Sequence, residues 1–170
     1  MTGISKRLGA AGEDQATRAL YRLGVEQVQK IGTPITCIPV SPALTARGIF
    51  KIKYGEPVVG DRRGVAGGGL SVLAEVKTTF ARNLQWSDLE AHQITDLDRH
   101  DELGGITLIV NVTDNGVHVL RWPIPNFGPG KGITPKQAEA MAINTEAELL
   151  GRRKPKRKVV SSPEFTLGRY

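Results

Sequence analysis

The sequence predicts an α/β fold in which a central mixed β-sheet is flanked by helices. Helical and strand patterns follow one another in the order helix, strands, helix, strands, helix, which is typical of a sheet covered by helices. Residues 106–112 form a nearly continuous apolar run, as expected for a strand buried on both faces. The chain has 170 residues, of which 39% are hydrophobic and 24% charged. This size and composition suit one domain with a substantial core.

In the first half of the chain the pattern predicts six segments, which are helix 5–23, strand 25–31, an extended and partly mobile connection 32–48, strand 49–54, strand 58–61 and a glycine-rich loop 62–69. The helix is predicted from an apolar stripe at helical spacing, with Ser5 as its N-cap and Gly24 as its stop. Prolines and hydroxyl side chains predict the extended connection. A Gly-Glu-Pro turn predicts that the last two strands form an antiparallel pair.

In the second half the pattern predicts strand 70–78, helix 86–102, strand 106–112, strand 117–122, a linker 123–133, helix 135–150 and a basic tail. Ser87 is the expected N-cap of the first of these helices, with Glu90 completing a capping box and Gly104 and Gly105 ending it. An Asp-Asn-Gly turn predicts a hairpin between the two strands that follow. A Thr-Pro pair opens the last helix.

The net charge of +6 comes from the C-terminal tail. Six of the 23 Lys and Arg residues lie at 152–158, and the rest of the chain holds equal numbers of acidic and basic residues. Such runs are typical of disordered, solvated arms, so the tail is either a solubilising segment or one that contacts a phosphate backbone. The candidate DNA-binding residues are Arg152, Arg153, Lys154, Lys156, Arg157 and Lys158.

Composition also excludes several classes of protein. A single cysteine, Cys37, gives neither a disulfide framework nor a cysteine-based zinc site. No apolar run approaches the ~20 residues needed to span a bilayer, and the first residues lack the apolar segment of a signal peptide. We therefore expect a cytoplasmic protein that has no membrane partner.

The pattern with chemical meaning is Asp61 at the end of one apolar run, followed by Glu75 and Lys77 in the next predicted strand. Side chains alternate along a strand, so Glu75 and Lys77 point to the same side. If the two runs pair, Asp61 arrives beside them. Two carboxylates and an ammonium can then hold a divalent cation next to a scissile phosphate.

Each part of this pattern also has an ordinary interpretation. Glu-x-Lys is common on solvated strand faces, and an aspartate after glycine is common in turns. Three observations favour a site. Strand 70–78 is expected to be central, where charges are costly. Glu13, in the first helix, offers a third carboxylate if that helix meets the sheet, and Gln93, in the helix after the strand, is expected near the end of the sheet.

The order and spacing of Asp61 and of Glu75-Val76-Lys77 resemble the PD-(D/E)XK nuclease superfamily, with Gly60 where proline would stand. Within it, the His-Gln-Ile and Gly-Gly-Ile motifs in the segments 84–94 and 104–106 resemble those of RecU-type Holliday junction resolvases. The resemblance implies a restriction-endonuclease-like fold with a nuclease core at 1–122, although it does not cover an extended insertion at 32–57. The other predicted domains are a linker and C-terminal helix at 123–150 and a basic tail at 151–170.

Carboxylate ligands suit Mg²⁺, with Mn²⁺ as a substitute. The expected metal ligands are Asp61, Glu75, Glu13 (directly or through a water) and, as the resemblance implies, the backbone carbonyl of Val76. Lys77 would position or activate the attacking water, and Gln93 would hydrogen-bond that water or the lysine.

The resemblance implies an endonuclease that resolves four-way DNA junctions by paired phosphodiester hydrolysis. A four-way junction offers two equivalent strands to cut, so a two-fold symmetric homodimer is expected. Two other interpretations remain open on the sequence. One is a restriction- or repair-type enzyme that cuts linear duplex with the same site, and the other is a non-catalytic DNA-binding module on the same fold.

Overall fold

The computed structural model describes residues 3–31, 35–39, 41–47, 50–54 and 60–151. Its elements in chain order are α1 (Gly3–Arg22), β1 (Glu26–Lys30), β2 (Ile35–Pro39), α2 (Pro42–Ala46), β3 (Phe50–Tyr54), β4 (Arg62–Ala66), β5 (Leu70–Thr78), β6 (Leu84–Gln85), a 3-10 turn (Trp86–Asp88), α3 (Ala91–Glu102), β7 (Ile106–Thr113), β8 (Gly116–Arg121), β9 (Gly132–Ile133), α4 (Pro135–Met141) and α5 (Glu146–Gly151).

A mixed five-stranded sheet lies at the centre, with strand order β1-β4-β5-β7-β8. Strands β5 and β7 are parallel, and the other neighbours in this sheet are antiparallel. Every residue of β7 is buried, as the apolar run predicts. The predicted α/β fold with a central mixed sheet is therefore confirmed.

Alternating side chains of β5 divide the interior into two cores. Val72 and Ala74 pack with Leu20 of α1 on one face of the sheet, whereas Leu73 packs with Leu97 of α3 on the other. Helix α1 thus covers one face of β5 and helix α3 the opposite face. Because Glu75 and Lys77 share the side of Leu73, they point toward α3.

The N-terminal helix ends where the sequence predicts but begins earlier. It ends in a paired turn in which the Gly24 amide donates to Tyr21 (3.0 Å) and the Val25 amide donates to Leu20 (3.1 Å). The helix already includes Gly3. Ser5 therefore lies within the helix, and its prediction as the N-cap is wrong.

Strand β4 occupies residues that the sequence predicts as a loop. Gly64 suggests a turn, but it allows a close approach between strands, because a Cβ there would lie 2.6 Å from Val25 Cγ1 and 2.9 Å from the Glu26 carbonyl oxygen. Asp61 consequently precedes strand β4 instead of ending a strand. Of the predicted strand 58–61, residues 58 and 59 lie outside the described residues.

The predicted connection at 32–48 is also wrong where it is described, because it contains β2 and α2. Strand β3 pairs with β2 in a separate two-stranded sheet. The expected pair of strand 49–54 with 58–61 falls partly outside the described residues. Three β-branched residues in Ile35–Pro39 favour a strand, although Pro34 precedes it and Pro39 ends it.

The two later helices are shorter than predicted. Ser87 lies in a 3-10 turn, and α3 starts after Glu90, which is its N-cap. The last predicted helix is divided into α4 and α5, because the Ile143 amide donates to the carbonyl of Val119 in β8 (2.8 Å) and Thr145 caps α5 by accepting from the Glu148 amide (3.2 Å).

Residues 123–151 pack against the sheet on both faces. Ile124 and Ala138 belong to the core on the α3 side, and Ile143 and Leu149 belong to the core on the α1 side. The predicted basic tail at 152–158 lies outside the described residues. Within the described part of the chain, no helix is both long and apolar enough to cross a bilayer.

Candidate active site

Asp61 is fixed beside β5 by hydrogen bonds from both its backbone and its side chain. Its amide donates to the Ala74 carbonyl (3.0 Å), and its Oδ2 accepts from the Val76 amide (2.9 Å). The preceding Gly60 has φ +65°. Proline cannot adopt this conformation, so glycine at this position follows from the path of the chain.

Glu75, Lys77 and Gln93 form a closed triangle of contacts on the α3 side of the sheet. Lys77 Nζ lies 2.8 Å from Glu75 Oε1 and donates to Gln93 Oε1 at 3.0 Å, while Gln93 Nε2 donates to Glu75 Oε1 at 2.6 Å. Gln93 Oε1 also accepts from the Glu90 amide at 3.0 Å. One side chain therefore caps α3 and joins the two charged residues of β5.

The carboxyl group of Glu75 is only 2% exposed. Burial raises its pKa, and the negative charge of Asp61 raises it further, whereas Lys77 and His92 act in the opposite direction. The net shift is upward. The positive charge of Lys77 thus does not offset the combined effect of burial and of the Asp61 charge on the pKa of Glu75.

The open oxygens of this pair fit a hard cation. Among the described residues, no hydrogen bond reaches Asp61 Oδ1 or Glu75 Oε2, although the other oxygen of each carboxylate is held. The Val76 carbonyl points to the same edge of β5 as the Val76 amide, which is the edge facing Asp61. Asp61 lies near enough for its charge to raise the pKa of Glu75. These two carboxylates and the Val76 carbonyl could therefore hold Mg²⁺, which prefers oxygen donors.

Glu13 does not join these groups. Its carboxylate pairs with Lys30 and, at 3.1 Å, with Arg62. Burial opposes these contacts, but the two cations lower the pKa of Glu13 overall. Among the described residues, no group of three or more His, Cys, Asp or Glu side chains is arranged to hold a metal ion. A metal role for Glu13 therefore stays a prediction that requires these ion pairs to break.

Sequence reasoning missed Arg62, which is 5% exposed. Its guanidinium donates to the Asp61 carbonyl (2.9 Å), to Thr17 Oγ1 (3.0 Å) and to Glu13 Oε2 (3.1 Å). It therefore joins α1 to the segment that carries Asp61. No signal in the sequence marks it, because Arg-Arg-Gly-Val-Ala lacks the apolar alternation of a half-buried strand.

Sequence comparisons find neither a matching family model nor a matching curated protein. The fold is a mixed five-stranded α/β sheet flanked by helices. A solved structure with a similar fold is the 1.6 Å structure of Hjc, a Holliday junction resolvase from the archaeal hyperthermophile Archaeoglobus fulgidus. The TM-score is 0.52 at 12% sequence identity, over 79% of this chain and 94% of that chain. At this identity the likeness establishes the fold, and the RecU-type resemblance stays a prediction.

Proposed function

We propose that this protein is a divalent-cation-dependent endonuclease that cuts branched DNA, with four-way junctions as its substrate. The observation that carries the proposal is the mutual contact of Glu75, Lys77 and Gln93, with Asp61 near enough for its charge to raise the pKa of Glu75. Asp61 lies outside the strand and accepts from the Val76 amide. The resolvase fold of the structural neighbour supports branched DNA as the substrate class.

The side chains of this site have separable roles. Asp61 and Glu75 would hold the cation through their open oxygens, together with the Val76 carbonyl. When bound, Mg²⁺ lowers the pKa of a coordinated water and neutralises charge on the reacting phosphate. Lys77, held between Glu75 and Gln93, presents an ammonium that orients the attacking water and stabilises the charge that develops on the phosphate oxygens.

Gln93 keeps Lys77 in place. Its amide oxygen accepts from Lys77 and its amide nitrogen donates to Glu75. Because Glu90 anchors the same amide oxygen at the start of α3, the rotamer of Gln93 is fixed by the helix. Gln93 thus orients both charged groups of β5 without itself having to transfer a proton.

A resolvase must cut two strands that are related by symmetry, which is why we propose a homodimer. The basic residues at 152–158 would add contacts to the phosphate backbone that carry no sequence information.

The direct test compares cleavage of a four-way junction with cleavage of a linear duplex built from the same arms. We expect Mg²⁺-dependent incision of the junction, weaker cutting of the duplex, and no incision in EDTA. Equal cutting of both would leave a nuclease but refute the junction-selective function. Binding without any cation-dependent cleavage would instead support a non-catalytic module.

Variants then connect the activity to the site. Lys77→Ala and Asp61→Asn should lower cleavage by about 10²-fold or more while retaining junction binding. Lys136→Ala is a matched control, since Lys136 is an exposed lysine of α4. If Lys77→Ala cleaved as fast as Lys136→Ala, the proposed site would be wrong.

A further inference from the structure

A groove lies between β4 and α3, and it forms a cleft of about 370 Å³. Its floor is formed by alternate residues of β5, namely Ser71 and Leu73, which are followed on the same face by Glu75. One wall is α3, where Asp96 and His100 line the groove. They follow Gln93 at helical spacing, so all three share one face of the helix.

Two arginines also line this cleft. Arg63 enters from β4 and Arg99 from α3. Both are exposed, and among the described residues neither guanidinium makes a hydrogen bond or an ion pair. Each therefore keeps its five donors available in a planar fork that matches phosphate oxygens.

The remaining polar groups of the cleft favour an anionic ligand. His100 is held by Thr107 Oγ1 (2.8 Å) and Ser71 Oγ (3.1 Å). Burial lowers its pKa and the charge of Arg63 lowers it further, so the ring is a neutral hydrogen-bonding group at neutral pH. Asp96 carries the opposing charge among the residues lining the cleft. Two cations against one carboxylate leave a net positive charge.

The spacing between cleft and active site suits a nucleic acid strand. Ser71 precedes Glu75 by four strand residues, which is roughly 13 Å, and His100 follows Gln93 by seven helical residues, which is roughly 10 Å. Nucleotides repeat at about 3.4 Å along the axis of a duplex strand. Measured along the axis of a duplex that lies parallel to β5, the cleft is thus about three to four nucleotides from a phosphate held by a cation at the carboxylates.

We infer that the groove between β4 and α3 carries one strand of the DNA substrate, and that Arg63 and Arg99 bind a backbone phosphate about three to four nucleotides from the scissile phosphate. This inference rests on the proposed nuclease function and assigns a phosphate subsite to that function. Because the contact is to the backbone, it positions the strand without reading its sequence. Asp96 weakens the subsite by repulsion.

The first test measures DNA binding in EDTA, so that it does not depend on cleavage. Arg63→Gln/Arg99→Gln should bind a four-way junction on the order of tenfold more weakly, and the slope of log K against log salt should shrink by about one. Arg18→Gln/Arg22→Gln makes the same charge change on exposed residues of α1. Equal losses in both double variants would overturn the inference.

A third variant reverses the sign of the expected effect. Asp96→Asn removes the negative charge of the cleft, so it should tighten binding of the same junction and steepen the salt dependence. Unchanged or weaker binding by Asp96→Asn would count against a phosphate in this cleft.

The second test locates the phosphate. Neutral methylphosphonate linkages are placed one at a time along the cut strand, and binding is measured for the parent and for Arg63→Gln/Arg99→Gln. We expect one position, about three to four nucleotides from the cut, to weaken binding by the parent but not by the variant. If the neutral linkage weakens binding by the variant as much as it weakens binding by the parent at every position, the assigned contact does not exist. A parent that binds in this way but never cleaves would refute the proposed function and retain the subsite.

Discussion

Replacing Glu75 with glutamine should stabilise the cation-free protein while abolishing its response to Mg²⁺. Glu75 is 2% exposed and lies near the negative charge of Asp61. Glutamine has the same shape, and its amide oxygen can still accept from Lys77 and Gln93. The substitution therefore removes an unfavourable buried charge without creating a cavity.

The magnitude follows from the raised pKa of Glu75, whose causes are burial and then Asp61. The folded state binds this proton more tightly than the unfolded chain does. The stability that Glu75 contributes is thus fully present below the pKa of an unfolded glutamate and is lost as the pH rises through the raised pKa. Each unit of that shift costs the cation-free protein about 1.4 kcal/mol at neutral pH. Glu75→Gln regains this, or about 3–6 °C in Tm per unit.

The cation should reverse the order of the two proteins. A cation at a hundred times its Kd stabilises the parent by about 2.7 kcal/mol, which is about 5–11 °C in Tm for a chain of this size. Glu75→Gln lacks one of the two proposed ligand carboxylates, so its Tm should rise little. Thermal and urea unfolding in EDTA and in Mg²⁺ measure both effects, and Glu102→Gln, at an exposed position of α3, is the control.

If Glu75→Gln were less stable than the parent in EDTA at neutral pH, burial and the charge of Asp61 would not dominate the electrostatics at residue 75. A full Mg²⁺-dependent rise in Tm for Glu75→Gln would show that the cation binds elsewhere. The parent in EDTA should also lose stability on going from mildly acidic to neutral pH, relative to Glu75→Gln.

Three further predictions concern the fold. Gly60→Ala strains a residue at φ +65° and brings a Cβ to 2.7 Å from a side-chain carbon, whereas the Cβ of Gly68→Ala, at φ +75°, meets open space. Each substitution should lower the free energy of unfolding by about 1–2 kcal/mol, measured in urea. Only Gly60→Ala should also lose cleavage. Leu149→Ala should lower the free energy of unfolding by about 2–5 kcal/mol. Leu103→Ala, at a residue that is 74% exposed, should lower it by less than about 0.5 kcal/mol. A small loss for Leu149→Ala would mean that α5 unfolds separately. Burial, then nearby charge, lowers the pKa of His100, so stability should fall as the pH drops through the range where an unfolded histidine gains its proton, and His100→Gln should flatten that dependence.

The parts of the fold that could be predicted are those where local pattern and tertiary environment agree. The bounds 70–78 of β5 are predicted from its pattern, and the buried run of β7 indicates a central strand. Strand β4 could not be predicted, because the close approach of β1 requires the glycine that suggests a loop. The break between α4 and α5 depends on a hydrogen bond to Val119, more than 20 residues away, and a local pattern contains no such partner.

The same distinction applies to the site. Glu75 and Lys77 lie two residues apart on one strand, so alternation alone places them together. Gln93 comes close to these residues only because a helix packs over that strand. The apolar positions around Gln93 predict this packing. The prediction that Glu13 offers a third carboxylate depends on that face of its helix meeting the sheet. Its helix does meet the sheet, but on the opposite face, and Arg62 holds the carboxylate there.

The position of Asp61 explains why proline is not needed before it. A proline at residue 60 would require a negative φ, whereas the chain reaches Asp61 at +65°. What fixes the acid is its pair of backbone contacts with β5, to the Ala74 carbonyl and from the Val76 amide. Those contacts depend on where the chain runs beside the strand and on no particular neighbouring side chain. The geometry of such a site can therefore persist where its sequence motif is altered, which fits a fold that resembles a resolvase at 12% identity while no family model matches the sequence.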